Sequence, residues 1–111
     1  MRCLAMTRLN EQQRKLIYQK ISLNGRTVIL LLDKDGKENI SDIDLNANVF
    51  CIDEAFNIIW RIKAEQTKFK QDPFTSIKTD ECGKIHTRRF SGFEYELNPS
   101  TGEAKISGWN K

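Results

Sequence analysis

From residue 15 onward, apolar and polar positions follow the period of two expected of half-buried β-strands. Leu16, Tyr18, Lys20 and Ser22 alternate with Ile17, Gln19, Ile21 and Leu23, and the run stops at Asn24-Gly25. An Asn-Gly pair between two β-prone runs predicts a tight hairpin of the type in which both central residues take positive φ. The returning run, residues 26–32, ends in Val28-Ile29-Leu30-Leu31-Leu32 with no polar alternation. It therefore predicts a central strand covered on both faces.

Further strands are predicted over 48–53, 58–63, 74–80, 85–90, 93–97 and 104–109. In the 93–97 run, Phe93, Tyr95 and Leu97 point one way and Glu94 and Glu96 the other. Residues 33–37, 54–57, 81–84 and 98–102 read as turns, and Gly92 as a break or bulge. Residues 38–47 are predicted to form a polar loop with Ile40, Ile43 and Leu45 tucked inward, and 64–73 a mobile connection. Residues 1–13 lack a strand period and offer at most one marginal helical turn. The fold predicted is all-β: an antiparallel meander of about seven short strands, closed as a small barrel or stacked as a sandwich. A flexible N-terminal arm, 1–13, precedes a single β domain, 14–111.

Charge changes this picture little. The formal net charge is +3, from 18 Lys and Arg against 15 Asp and Glu, which permits an anionic partner without arguing for one. Three cysteines, Cys3, Cys51 and Cys82, form no metal-binding spacing and predict reduced thiols, with Cys51 a small buried hydrophobe. The longest apolar run, five residues from Val28 to Leu32, is far too short to span a bilayer, and no signal peptide is recognisable, so the cytoplasm is expected. Met6 is an alternative translation start to Met1.

A weak unit recurs along the chain: an apolar strand, an Asp or Asn, a turn and a second strand. Phe50-Cys51-Ile52-Asp53 with Ile58-Ile59-Trp60 is one copy, and Tyr95-Glu96-Leu97-Asn98 with Ser100-Thr101-Gly102-Glu103 and Ile106 another. A looser third runs from Leu30 through Asp33 and Asp35-Gly36 to Ile40. These hairpins resemble those of quinoprotein-type β-propeller blades, and the offset of about 45 residues is blade-like. A complete propeller needs far more chain. The run Ile58-Ile59-Trp60-Arg61-Ile62, followed by residues 73–103, is also similar to small uncharacterised bacterial proteins, some carried in mobile integron gene cassettes. That resemblance covers roughly residues 48–111. It implies a bacterial cytosolic β protein that forms an oligomer, and it transfers no catalytic residue.

Candidate chemistry is sparse. Asp42, Asp44, Asn46 and Asp53 fall at calcium-loop positions, but Ala47 stands where the loop requires Gly and the last ligand is not Glu, so no metal site is expected. His86 is the only histidine; Cys82, Asp80 and Glu81 are near in sequence, but no complete catalytic set is apparent and none is assigned. Lys63, Lys68, Lys70, Lys78, Lys84, Arg88 and Arg89 interleave with Phe69, Phe74 and Phe90, the mixture by which sheets hold single-stranded nucleic acid. Trp60 reads as core. Trp109, near the C-terminus, reads as core or as a subunit contact.

The expected function is a non-catalytic binding or adaptor module that pairs with itself, using no cofactor. Its expected contact residues are His86, Arg88, Arg89, Phe90 and Trp109. Single-stranded nucleic-acid binding through a basic-aromatic sheet face is the alternative, and a small hydrolase-type enzyme the third reading.

Overall fold

The computed structural model describes residues 8–32 and 42–109, with Asp42, Ile43 and Trp109 described by backbone alone. Two four-stranded antiparallel sheets make up the fold. The first contains β1 (Ile17–Leu23), β2 (Arg26–Leu31), β3 (Val49–Ile52) and β4 (Ile58–Arg61). The second contains β5 (Phe74–Thr79), β6 (Ile85–Arg89), β7 (Phe93–Leu97) and β8 (Ala104–Trp109). Within each sheet the spatial order is the sequence order, so the all-β meander of the sequence reading is present as two stacked meanders. The sheets bury between them Val28, Leu30, Val49, Cys51, Trp60 and Ile62 from one side and Phe74, Ile77, Ile85, Tyr95 and Leu97 from the other.

Both open sides of this sandwich are stitched. Where β1 meets β5, the Gln19 side-chain oxygen accepts the Ile77 N–H at 2.8 Å. Just beyond β4, Lys63 N–H donates to Gly102 O (2.8 Å) and Ala104 N–H donates to Lys63 O (2.9 Å). The indole N–H of Trp60 adds a bond to Pro99 O at 2.8 Å. Asn48, buried, ties β2 to β5: its amide donates to Leu31 O (2.7 Å) and Phe74 O (2.8 Å) and its oxygen accepts the Phe74 N–H (3.0 Å). These bonds satisfy backbone groups that the ladders leave over.

The strand β2 is buried on both faces, as its unbroken apolar run predicts. Ile29 and Leu31, with Phe50 and Ile52 of β3, form a second apolar layer on the outside of the first sheet. The N-terminal segment covers it. Residues 1–7 of the expected arm lie outside the described residues, but Leu9 is only 1% exposed and belongs to this layer. Burying such a side chain contributes roughly 1.5–3 kcal/mol. The segment is held by Leu9 N–H to Phe56 O (3.0 Å) and by Arg8 Nε to Ala55 O (2.9 Å). It continues into α1 (Glu11–Lys15), where Asn10 and Gln13 form a reciprocal capping box. The first strand therefore starts at Ile17, two residues later than the period alone predicts.

Two further expectations are corrected. Only Gly25 of the Asn24-Gly25 pair has positive φ (76°) among the two, so the hairpin turn is not the type with two such residues. Part of the expected loop 38–47 is a short helix, α2 (Asp42–Asn46), while Ile40 and the turn at 33–37 lie outside the described residues. The connection 64–73 has no regular structure of its own, yet it is fastened: Asn46 donates to Lys70 O (2.9 Å) and accepts the Asp72 N–H (2.6 Å).

Gly102 has φ 82°, and a Cβ there would stand 2.6 Å from the Trp60 ring. Gly102→Ala is expected to destabilise by about 2–4 kcal/mol, read as a shift of the urea midpoint. Gly25→Ala, with open space around it, is expected to cost only about 1 kcal/mol. Asn48→Ala strands buried donors and acceptors on two strands and is expected to cost about 2–4 kcal/mol in the same assay.

Candidate functional site

The sequence candidates fall into two places. Along β6, His86 and Arg88 face outward from the second sheet, whereas Arg89 turns inward between the sheets. Phe90 follows in the β6–β7 turn. Trp109 ends β8 opposite Phe93, and its side chain lies outside what is described.

The outer face of the second sheet is a ladder of charges. Lys78, His86 and Glu96 stand in one cross-strand row, and Ser76, Arg88 and Glu94 in the next. Lys84 approaches Glu96 at 3.8 Å. Opposite charges across a pair are mildly stabilising, and they leave this face mixed in sign instead of basic. The histidine has a partner that sequence proximity hinted at without choosing: His86 Nε2 lies 2.7 Å from Asp80 Oδ2. The other Asp80 oxygen accepts the N–H groups of Cys82 (2.8 Å) and Lys84 (3.0 Å). The hydrogen bond to His86 is the largest influence holding the Asp80 carboxyl below its ordinary pKa, followed by the backbone bond to Lys84. With Ser76, Lys78, Thr87, Arg88 and Glu94, the pair lines a shallow groove of about 350 Å³.

The Asp80 turn has a counterpart. Asp53-Glu54-Ala55-Phe56-Asn57 repeats the spacing of Asp80-Glu81-Cys82-Gly83-Lys84, with Asp53 Oδ1 accepting Ala55 N–H (2.8 Å) and Asn57 N–H (2.9 Å). Phe56 takes the place of Gly83 and adopts φ 66°, which a side chain rarely does. Its ring packs against the outer apolar layer and under the Arg14 guanidinium, 4.1 Å from the ring centre. The first two copies of the sequence repeat lie on β3–β4 and β7–β8, the last hairpin of each meander. The turn of the third lies outside the described residues.

The second place is one end of the sandwich, where the 64–73 connection meets the β6–β7 turn. Its centre is Asp72, only 1% exposed. Asp72 Oδ2 accepts the hydroxyls of Thr67 and Ser91, both at 2.8 Å, and Oδ1 accepts the Ser91 N–H at 2.9 Å. Arg89, 4% exposed, lies beside it with Nε 4.0 Å from Asp72 Oδ2. The guanidinium donates to Asp72 O (3.1 Å), Glu65 O (2.8 Å) and Tyr95 Oη (2.9 Å), and sits over the Phe74 and Tyr95 rings. Burial raises the Tyr95 hydroxyl pKa, partly offset by Arg89. Around this centre the chain displays aromatic groups: Phe90 is 76% and Phe69 42% exposed. Lys68 and Lys70 flank Phe69.

The structure therefore separates what the sequence grouped. Arg89 is no surface contact, since its guanidinium is an internal hub. Asp72, Glu65 and Tyr95 carry no site role in the sequence reading: Glu65 and Asp72 register only as acids that interrupt the basic stretch, and Tyr95 only as an inward strand residue. Cys51 is buried, as read from its apolar run, and burial raises its thiol pKa against a smaller opposing influence of Arg26. Cys82 is exposed at the β5–β6 turn. At α2, Asp44 pairs with Arg61 at 3.0 Å and Asn46 holds the connection. No group of three or more metal-type ligands occurs among the described residues, and none of their helices is long and apolar enough to cross a membrane.

A depressed folded pKa gives Asp80 a stabilising contribution that is fully present above the ordinary aspartate value of about 3.9 and is lost as pH falls through the lower folded value. His86→Ala is expected to move the Asp80 titration upward, toward that ordinary value. A carboxyl-detected NMR titration checks it; an unchanged Asp80 midpoint refutes the His86 assignment.

Neither a curated protein nor a solved structure matches the chain. Residues 8–109 match a family described as a domain of unknown function, DUF7957, and the protein belongs to that family.

Proposed function

We propose that the protein is a non-catalytic binding or adaptor module whose contact surface is the Asp72 end of the sandwich, and that its first partner is a second copy of itself. The observation that carries this reading is the display of Phe90 and Phe69 at 76% and 42% exposure on two segments clasped to one buried carboxylate. Exposed aromatic groups on a pre-organised surface are the usual anchors of interfaces, because little side-chain entropy remains to be lost on docking. The stitched sheet edges at Gln19–Ile77 and Lys63–Gly102 shift the case for self-association away from free edges and onto this end. The reading extends the resemblance to small bacterial cassette proteins, and the free thiols of Cys51 and Cys82 suit a reducing cytoplasm.

A second reading is single-stranded nucleic acid. Lys68 and Lys70 beside Phe69 support it, combining a stacking ring with phosphate-binding charge. The sign-balanced outer face of the second sheet gives it less support, so the basic-aromatic connection takes the place of the sheet face.

Light scattering at two salt concentrations, with and without a random single-stranded oligonucleotide, decides between them. A salt-insensitive dimer is expected. Phe90→Ala is expected to weaken it at least about tenfold while changing folding stability by less than about 0.5 kcal/mol. A monomer that takes up oligonucleotide only at low salt moves the assignment to nucleic acid. A monomer that ignores it overturns both.

A further inference from the structure

The same end of the sandwich contains a cavity of about 260 Å³. Ile62 and Ala64 supply apolar wall, and Glu65, Gln66, Lys70 and Arg89 supply its charged and polar groups. Arg89 is the informative member. A guanidinium this deeply buried is expected to have a carboxylate in close, bidentate geometry. Instead, Asp72 Oδ2 stands 4.0 Å from Nε. Both Asp72 oxygens already accept bonds from Thr67 and Ser91. The bonds Arg89 makes go to neutral acceptors: two backbone carbonyls and the Tyr95 hydroxyl. Three of its five N–H groups, those of Nε and Nη1, are engaged in these bonds; its charge is only loosely neutralised, and the side chain borders an open volume.

We propose that this cavity is a binding site for a compact anion bearing a carboxylate or phosphoryl group, seated against Arg89 with the exposed Lys70 as a second cation. The size sets the class. Sites for drug-sized molecules run from roughly 300 to 1,000 Å³, so a hollow of about 260 Å³ suits one small acid. Glu65 opposes the anion. Its Oε1 accepts the Tyr95 hydroxyl at 3.3 Å, which keeps a carboxylate at the site and limits affinity. The site goes beyond the docking surface, because Phe90 does not line it.

The test is an NMR titration of the full chain with inorganic phosphate and, separately, with acetate, at constant ionic strength against a sodium chloride control. Saturable shifts at the Ala47, Ile62 and Ala64 amides and at the Arg89 Nε–H are expected with one anion or both; which one saturates assigns the phosphoryl or the carboxylate source. Lys70→Ala is expected to weaken binding about threefold and Glu65→Gln to tighten it about threefold, the scale of one partly exposed charge. Phe90→Ala is expected to leave the titration unchanged, whatever it does to the oligomer. Because Glu65→Gln also favours an anion held by Lys70 alone, the saturable shift at the Arg89 Nε–H is what separates an anion-facing Arg89 from a purely structural one. Linear shifts without saturation, shifts matched by chloride, or a titration indifferent to both charge variants would overturn the proposal.

Discussion

The constraint on which the rest depends is that β2 and β3 are apolar on both faces. A strand that sends Val28 and Leu30 one way and Ile29 and Leu31 the other has no side to give to water. The first sheet must therefore be covered twice. The second sheet covers it from within, and the segment around Leu9, together with Leu16 and Phe56, covers it from without. The strain at Phe56 follows from this demand: its ring is needed in the outer layer, so the turn that Gly83 makes freely on the other meander is made here by a phenylalanine.

Covering the inner face brings backbone ends of different sheets together, and their polar groups need partners. Asn48, Gln19 and Trp60 serve this purpose, each joining elements distant in sequence. At the end where the 64–73 connection closes over the core, the demand becomes ionic. Asp72 organises the turns by accepting from hydroxyls and an amide, and Arg89 braces the connection by donating to its carbonyls. Two charged groups share one buried region but satisfy mostly neutral partners. That arrangement holds Phe69 and Phe90 outward and leaves Arg89 on the wall of a small cavity.

Local pattern was enough for the strands, because a period of two, an unbroken apolar run and Gly, Pro or Asn turns depend only on neighbours in the chain. The inward set Phe93, Tyr95 and Leu97, the doubly covered β2, and the core places of Trp60 and Cys51 were all legible for that reason. Less legible were the docking of Leu9 and the helix α2. Leu9 is an isolated apolar residue whose partners lie far along the chain, and a five-residue helix carries too little period to register.

The candidate site divides along the same line. Sequence named Arg89 and Phe90 and determined that basic and aromatic residues crowd the middle third. Alternation along β6 then sent Arg88 out and Arg89 in, and only the stacking of the two sheets decided that the inward position opens onto Asp72, Tyr95 and Glu65. Side-chain direction on a strand is a local property with a fixed period. What a buried charge meets there depends on residues from other loops, up to two dozen positions away in the chain, and folding alone brings them to one place.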